Sequence, residues 1–547
     1  MKRAPGILVS ALIVLLLLCS PATFSNQGSQ QGAQQEFGEV AFVNSGPTAV
    51  QADFHHGLAQ LHNFEYDDAA EHFRKAQQTA PDFALAYWGE AMTQNHPVWH
   101  EEDVAAAREV LKRLGPTPEA RLAKAPTERE KLYLRSVEML FGEGTKEERD
   151  RRYEAVMAEL HRKFPDDVDG AAFEALAILG TAEHGRDFAT YMRAAAILEE
   201  VFPQHPRHPG VVHYLIHCYD DSVHAPLGLR AARIYSKIAP EAGHAQHMTS
   251  HIFLSLGMWD DEVKANETAM AVVNKEREKA GRPHAMCGHY NEWLEYGYLQ
   301  EGRVADARRV LEGCRGAAEK AEAGAADPKS PAHAAMSGMS MNGMTPAMGA
   351  VDSYAGMRAH FLIATQLWND EVARWTFPAG DYPFGEGSFD YTNAIVAIHR
   401  GDLAAAREAI TRVEKDGPRC IALMEKMGAM DAHEAVDIYN GELHAMLAAA
   451  EGKTTEAVTE LRQMAEREHH MPLEFGPPSI EKPTDELLGE LLLQLHRPAE
   501  AREALATALS RTPGRKIVVE SLARSEKEIA AMPATKQTTA GTASQNH

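Results

Sequence analysis

One short pattern recurs along this chain of 547 residues and constrains its fold more than any other feature. A small or aromatic residue is followed by two more, four and then three positions later, and a proline stands five positions after the last. The first three positions fall on one face of a helix. The proline ends that helix, because it lacks an N–H and restricts the residue before it. Each copy therefore predicts the second helix of a helical hairpin. The copies are Ala69/Phe73/Ala76/Pro81, Tyr153/Met157/Leu160/Pro165, Tyr191/Ala195/Leu198/Pro203, Gly228/Ala232/Tyr235/Pro240, Ala406/Ile410/Val413/Pro418 and Ala501/Leu505/Ala508/Pro513, with a seventh, Ala457/Leu461/Met464, that lacks the proline.

The copy from Tyr66 to Pro81, YDDAAEHFRKAQQTAP, resembles the second helix of the tetratricopeptide repeat, a unit of about 34 residues. The resemblance extends over most of residues 50–530. It implies an all-α fold, a right-handed superhelical solenoid of helical hairpins whose first helices line a concave surface. The composition agrees, because 44% of the residues are hydrophobic and only 7% are aromatic, which favours a helical chain.

The whole chain also resembles a group of exported bacterial tetratricopeptide proteins. The shared signatures are His-Tyr-x2-His-x2-Asp-Asp, His-x2-His-Met-x-Ser-His-Ile-Phe and, near the C-terminus, Phe475-Gly-Pro-Pro478 followed by Glu486-Leu-Leu-Gly-Glu490. This resemblance implies the fold and a histidine-rich groove, and it implies no particular chemistry.

Changes in composition divide the chain into segments. A Gln-, Ser- and Gly-rich stretch near the start is typical of a flexible linker, and a Gly-, Ala- and Met-rich insertion interrupts the repeats. A Pro- and Gly-rich loop at 376–388 carries Phe377, Tyr382 and Phe384. We predict a signal peptide at 1–24, a flexible linker at 25–45, an N-terminal solenoid with the histidines at 46–323, the insertion at 324–350, a C-terminal solenoid at 351–531 and a disordered tail at 532–547.

The N-terminus has the features of a secretory signal. Lys2 and Arg3 precede an apolar run over 7–19, and Ser20 and Ala22 offer small residues for cleavage. The run is too short for a typical membrane-spanning helix. We therefore expect an exported protein, periplasmic or extracellular, with no membrane span.

Two alternatives concern the cysteines. Acylation of Cys19 would make the protein a lipoprotein, but the preceding Leu17-Leu18 lacks the small residue that such processing prefers. Export would also allow disulfides to persist. Cys287 and Cys314 lie on segments that resemble antiparallel helices joined near Gly302, so either a disulfide between them or two buried thiols is expected.

The formal net charge of −23 argues against nucleic acid as a partner. Binding to phosphates requires clustered Lys and Arg side chains. A concave helical surface is instead suited to a protein or an extended peptide.

Two groups of histidines carry the strongest functional signal. Within each group the residues are three or four positions apart, so they share one helix face. The resemblance to tetratricopeptide repeats implies that both groups lie on first helices and face the groove. Neighbouring helices pack with axes about 8–10 Å apart, which allows imidazoles from both to bind one ion. The candidate metal ligands are His213, His217, His244, His247 and His251, with Asp220 or Asp221 as an oxygen donor.

Such a ligand set suits Zn or Cu, or else Ni or non-haem Fe, rather than Ca or Mg. The alternative is that these histidines only line a polar groove. Other polar residues accompany them as weaker candidates for a histidine-lined channel or for acid/base roles. They are His55, His56, His96, His100, His184, His289 and His360, with the carboxylates Glu183, Glu292 and Glu295.

The insertion offers a second kind of metal ligand. Thioether sulfurs bind Cu(I), and a loop rich in Gly, Ser and Asn has little core for methionines to fill. The segment resembles the methionine-rich loops of exported copper-handling proteins. The candidate copper contacts are Met336, Met339, Met341, Met344 and Met348.

The sequence leaves enzyme and scaffold both open. It has no Gly-x-Ser-x-Gly, no Gly-rich phosphate loop and no Cys-x2-Cys pair. Tyr214 stands where a His-Glu-x2-His peptidase has its Glu, which argues against a protease. One hypothesis is a scaffold whose groove binds a peptide or protein and a transition metal. The other is a metal-dependent enzyme or copper-handling protein, with the loop around Tyr382 and Phe384 covering the ion.

Overall fold

The computed structural model describes residues 36–182, 185–326, 346–426, 432–473 and 475–532. The predicted signal peptide, most of the methionine-rich insertion and the tail after Met532 lie outside these residues. Within the described ranges no helix is both long enough and apolar enough to span a membrane.

The described chain is helical apart from one short antiparallel pair, β1 (Asn95–His96) with β2 (Glu101–Glu102), and three 3₁₀ turns at Thr48–Val50, Pro97–Trp99 and Val372–Arg374. The helices of the N-terminal part are α1 (Gln51–His62), α2 (Tyr66–Thr79), α3 (Ala84–Met92), α4 (Val104–Leu114), α5 (Pro118–Leu122), α6 (Glu128–Leu140), α7 (Lys146–Lys163), α8 (Val168–Gly180), α9 (Phe188–Val201), α10 (Pro209–Tyr219), α11 (Ala225–Ile238), α12 (Gly243–Ser255) and α13 (Trp259–Lys279). The remaining helices are α14 (His289–Gln300), α15 (Val304–Ala326), α16 (Pro346–Thr365), α17 (Pro383–His399), α18 (Leu403–Lys426), α19 (Ala432–Ala450), α20 (Thr454–His470), α21 (Thr484–Gln494), α22 (Pro498–Arg511) and α23 (Lys516–Ala531).

Consecutive helices pack as hairpins, which confirms the all-α prediction. Each of the pairs α1/α2, α8/α9, α10/α11, α12/α13, α17/α18 and α21/α22 is in direct contact, and the first helices α8, α10 and α12 also contact one another in sequence. The repeat pattern supplies the packing face. In α2, Ala69, Phe73 and Ala76 are all fully buried, and the helix ends two residues before Pro81.

One proline does not act as predicted. Pro418 lies inside α18 rather than after its end. The continuing turn is held by Cys420, which is buried and whose Sγ donates to the carbonyl oxygen of Pro383 at 3.0 Å. The extensive packing of α18 against α17 offsets the roughly 3 kcal/mol that a proline costs inside a helix.

Residues 36–45, which belong to the predicted linker, are packed against the first repeats. Val40 and Phe42 are buried, and the ring of Phe42 lies 5.1 Å from that of Tyr133 and 5.4 Å from that of Phe54. The expectation of flexibility therefore applies only to residues 25–35, which lie outside the described residues.

The C-terminal repeats fold back onto the middle of the chain. Trp259 Nε1 donates to the carbonyl oxygen of Gly514 at 2.8 Å, and the N–H of Lys516 donates to Gln300 Oε1 at 3.0 Å. Arg515, which is buried, donates to Tyr296 Oη at 2.9 Å. These contacts close the array and bring the loop before α21 against α12 and α14.

Candidate metal centre

Helices α10 and α12 lie side by side and carry the predicted histidines. His208 precedes α10 as its N-terminal cap, because its side chain accepts the N–H of Val211 at 3.3 Å. Gly210 allows α1 to approach closely, because a Cβ at that position would lie 2.2 Å from Nδ1 of His62. The end of α1 therefore lies directly against the first histidine-bearing helix.

The first group of histidines is a buried triad formed by His213, His217 and His244. One ring nitrogen from each lies within 4.8 Å of the others. His213 Nε2 and His244 Nε2 are 3.2 Å apart, and the buried Nε2 of His217 has no hydrogen-bond partner within the described residues. Three imidazoles thus turn nitrogens toward one small volume. We call these three residues the first triad.

The opposite nitrogens of the first triad are each held by another group. Such outer contacts fix the ring orientation and leave Nε2 as the ligand atom, which is typical of histidines that bind metals. His213 Nδ1 lies 2.7 Å from the carbonyl oxygen of His62, His244 Nδ1 lies 3.0 Å from Tyr290 Oη, and His217 Nδ1 lies 3.4 Å from Asp220 Oδ2.

A second triad lies beside the first and consists of His247, His251 and His289, again with ligand atoms within 4.8 Å of one another. His247 Nε2 and His251 Nε2 are 3.2 Å apart. His289, at the start of α14, is exposed, whereas the other two are buried. The predicted single site with five histidines is thus two sets of three, and His289, predicted only as an accompanying residue, completes the second.

The two predicted aspartates have different positions. Asp220 Oδ2 lies 2.9 Å from His251 Nδ1 as well as near His217, and its Oδ1 accepts from Arg186 at 2.6 Å. Asp221 instead accepts the N–H groups of residues 223 and 224 and pairs with His224. Asp220 therefore orients both triads, and Asp221 shapes the turn after α10.

The electrostatic environment favours the neutral form of three of these imidazoles. Burial, reinforced by the neighbouring histidines, holds the pKa of His213, His244 and His247 well below the usual value. Burial also opposes ionisation of Asp220, but the Arg186 guanidinium and the adjacent imidazoles outweigh it and hold the pKa of that carboxyl below its usual range. Neutral imidazoles and an ionised carboxylate are the forms that metal binding requires.

A third cluster, His62, Asp169 and His208, is saturated by its own hydrogen bonds. Asp169 Oδ1 lies 3.0 Å from His62 Nε2 and 3.2 Å from His208 Nε2. His62 Nδ1 contacts Tyr214 Oη at 3.0 Å, and His208 Nδ1 caps α10. With every ring nitrogen occupied, this cluster joins helices α1, α8 and α10 and offers no free ligand.

Aromatic rings surround both triads. Phe64 has a left-handed backbone, with φ of 58°, and its ring lies 4.3 Å from that of His213. Trp99, whose exposed fraction is 36%, lies over the first triad, 6.0 Å from the ring of His244. Phe475 stacks on His251 at 5.1 Å, and Trp293 lies 4.4 Å from the same ring. The histidines are therefore enclosed rather than spread along an open groove.

The aromatic loop around Tyr382, which was predicted to cover the metal ion, does not lie at this centre. Tyr382 is buried against α16 and α17 with Phe377 and Phe389. Phe475, from the Phe-Gly-Pro-Pro signature, covers the second triad instead. Sequence spacing does not connect Phe475 with the histidines, because their proximity depends on the closure of the whole array.

Among the other accompanying residues, His96 lies at the edge of the first triad, with its ring 6.5 Å from that of Trp99, and several others lie elsewhere in the fold or outside the described chain. His55 contacts the carbonyl oxygen of Phe42, and His56 stacks on His72. Glu295 and His360 face each other at 4.0 Å in a separate buried position. Glu183, His184 and the side chains of Met336, Met339, Met341, Met344 and Met348 lie outside the described residues.

The structure contains the disulfide Cys287–Cys314, with the Cα atoms 4.4 Å apart. It ties the segment before His289 to α15. Cys218 and Cys420 are buried free thiols.

No protein-family model matches the sequence, and no curated protein is similar to it. Among solved structures, the chain resembles the Cut9–Hcn1 tetramer of the APC/C, at 13% identity over 91% of this chain and 80% of that one, with a TM-score of 0.35. It also resembles human IFIT1 bound to m7Gppp-AAAA, at 13% identity over 92% and 100%, with a TM-score of 0.36. Yeast Tom70 matches at 12% identity over 90% and 99%, with a TM-score of 0.32. The fold assignment itself rests on the helix packing described above.

Proposed function

We propose that this protein is an exported helical-repeat scaffold that holds a transition metal ion through Nε2 of His213, His217 and His244. The observation that carries the proposal is that one ring nitrogen from each of the three histidines lies within 4.8 Å of the others, while each Nδ1 contacts another group. Imidazole ligands select Zn or Cu over Ca or Mg. The buried and unpartnered Nε2 of His217 would otherwise lose a hydrogen bond at a cost of about 1–3 kcal/mol.

Export is part of the proposal. The apolar run over 7–19 supports it, and the Cys287–Cys314 disulfide is consistent with an oxidising compartment.

The ion would have room for a further ligand. Three protein ligands leave a fourth position open, as in zinc sites that carry out chemistry. Half-exposed Trp99 and exposed His289 mark the approach from solvent. A metal-dependent enzyme is therefore the second candidate function.

The proposed scaffold also binds a protein or an extended peptide. A cavity of about 1000 Å³ supports this part of the proposal. It lies between residues 39–45 and the turns before α8 and α10, and it combines apolar walls with charged side chains. Val43 and Phe164 are among the apolar residues, and Arg129 and Lys163 are among the charged ones.

Metal analysis of the purified full-length protein tests the proposal. We expect at least one Zn or Cu ion per chain after loading and removal of loose metal, and loss of an ion in His217→Gln. His224→Gln is the matched control, because His224 pairs with Asp221 and does not belong to either triad. Metal-free wild-type protein after loading with each ion, or equal metal content in both variants, would contradict the proposal.

Copper binding by the methionine segment is tested by a separate experiment. Titration with Cu(I) against a competing chelator should show extra sites that disappear when residues 335–349 are deleted. Unchanged Cu(I) capacity in the deletion variant would remove copper contact from the proposal.

A further inference from the structure

In the second triad, the hydrogen-bond partners restrict which ring nitrogens can carry protons more strictly than in the first. His247 Nε2 and His251 Nε2 are both buried and lie 3.2 Å apart. A neutral imidazole carries its proton on only one nitrogen, so the partner of each Nδ1 decides which atom faces inward.

The partners of both Nδ1 atoms are acceptors. His247 Nδ1 lies 2.6 Å from Asn266 Oδ1. The amide of Asn266 has this orientation because its Nδ2 donates to the backbone carbonyl oxygen of Glu262 at 3.3 Å, which can only accept, and to Glu262 Oε1 at 2.6 Å. His251 Nδ1 lies 2.9 Å from the carboxylate Oδ2 of Asp220. Both Nδ1 atoms must therefore donate, and two Nε2 lone pairs are left pointing at each other.

Two facing lone pairs repel unless a proton or a metal ion lies between them. The first triad can avoid facing lone pairs through its own hydrogen bonds. Tyr290 Oη can donate to His244 Nδ1, and His244 Nε2–H can then donate to His213 Nε2. In the second triad, the only hydroxyl that the described residues bring within hydrogen-bonding distance of His247 Nδ1 is Ser250 Oγ, at 3.5 Å. A proton could also bridge the two nitrogens, with the Asp220 carboxylate beside His251 balancing its charge. Only a metal ion would use His289 as well, whose ligand atom lies within 4.8 Å of the other two.

We propose that His247, His251 and His289 bind a second transition metal ion, so that the protein contains a two-metal centre. This inference rests on the proposed function of the first triad. The two sets are neighbours: the rings of His217 and His251 are 5.7 Å apart, and those of His244 and His247 are 6.3 Å apart. Each ion has three imidazole ligands, and Asp220 contacts one histidine of each set. Zn(II) or Cu(II) is the class of ion that three imidazoles select.

The test counts ions in the full-length protein loaded with Cu(II) and freed of loose metal. We expect two Cu per chain in the wild type and one in His289→Ala. His289 is exposed, so this variant should keep its helical content by circular dichroism. His284→Ala is the matched control: this exposed histidine of the same segment pairs with Glu278 and belongs to neither triad.

Electron paramagnetic resonance gives a second readout. Two neighbouring Cu(II) ions should couple, so the wild type should show fewer isolated spins than its copper content, and His289→Ala should show one uncoupled Cu(II) per chain. One ion per chain in wild type and His289→Ala alike would overturn the second site and leave the first. No ion in the wild type would overturn the proposed function itself. Loss of both ions in His289→Ala would also overturn a distinct second site.

Discussion

The Nδ1 atom of His251 lies 2.9 Å from Oδ2 of Asp220, and the same oxygen lies 3.4 Å from His217 Nδ1. One carboxylate thus orients a histidine in each triad. Arg186 holds this carboxylate from the other side at 2.6 Å, so its position is fixed before any ion enters.

Asp220→Asn should therefore weaken metal binding at both triads. Loss of an outer carboxylate partner typically reduces metal affinity about 10–100-fold, which competition with a chelator of known affinity would measure. Asp221→Asn is the matched control, because Asp221 also pairs with Arg186 but contacts no triad histidine. Equal affinities for the two variants would show that Asp220 does not orient the ligands.

Gly476 allows the loop before α21 to pack closely against Trp293. Its φ is 96°, and a Cβ there would lie 2.5 Å from Cζ2 of Trp293. Gly452 has a similar φ of 84°, and a Cβ there would have nothing within 4 Å. Both alanine variants should lose about 1–2 kcal/mol from the left-handed backbone, and Gly476→Ala should lose about 1–3 kcal/mol more from crowding.

Thermal unfolding of the two glycine variants measures this difference. Gly476→Ala should also expose the second triad, because Phe475 would shift from His251. Faster removal of bound metal by a chelator in Gly476→Ala than in Gly452→Ala is the expected result. Equal unfolding midpoints would mean that the loop before α21 does not press on Trp293.

The sequence predicted the hairpins well because their determinants are local. The residues Ala69, Phe73 and Ala76 face the core, and α2 ends before Pro81, as their spacing requires. The same local argument placed the histidine pairs on α10 and α12. It failed at Pro418, where packing against a neighbouring helix overrides a strong helix breaker.

The division of the histidines into triads could not be predicted from spacing. Asn266 and the carbonyl oxygen of His62 select the inward-facing nitrogens; Asn266 lies on α13, the hairpin partner of α12, and His62 lies on α1, far away along the chain. His289 stands at the start of α14 with no other histidine three or four positions away that would mark it as a member of a histidine group. Phe475 reaches His251 only because the C-terminal repeats fold back.

The Cys287–Cys314 disulfide should stabilise the segment that carries His289. The cysteines are 27 residues apart, and a cross-link closing such a loop contributes about 3–4 kcal/mol by restricting the unfolded chain. Cys287→Ser/Cys314→Ser should therefore unfold at a lower temperature than the wild type. Reductant should lower the midpoint of the wild type and leave that of the double variant unchanged; a drop in both would place the effect elsewhere.

Stability should also depend on pH through Asp352. Its Oδ1 accepts the N–H of Gly385 at 2.9 Å, while Oδ2 has no hydrogen-bond partner in the part of the chain that the structure describes. Burial raises the pKa of Asp352 to about 6 from 3.8, with a smaller contribution from the charge of Glu386 and an opposing one from the Gly385 N–H. The folded protein therefore keeps this proton at pH values where the unfolded chain has lost it.

This difference in bound protons determines whether the free energy of unfolding rises or falls with pH. Between pH 4 and 6 the folded state binds one more proton at Asp352 than the unfolded state, so the free energy of unfolding falls as the pH rises. Allowing for partial exposure, the loss is about 2 kcal/mol and is complete above the folded pKa. Asp352→Asn removes this titration and keeps an oxygen for the Gly385 N–H. The variant should match the wild type near pH 4 and exceed its stability at pH 7.

Denaturant unfolding of the metal-free proteins at pH 4 to 8 measures the difference in stability between Asp352→Asn and the wild type. Asp306→Asn provides the opposite case, because hydrogen bonds from Arg303 and Arg309 lower the pKa of Asp306 and its ionised form is the one that the fold favours. Because the folded pKa of Asp306 lies below its unfolded value of 3.8, the deficit of Asp306→Asn relative to the wild type should develop below pH 4 and stay constant through the range in which Asp352→Asn gains. If Asp352→Asn showed no gain at neutral pH, the Asp352 carboxyl would be compensated in the folded protein by a cation or a proton donor.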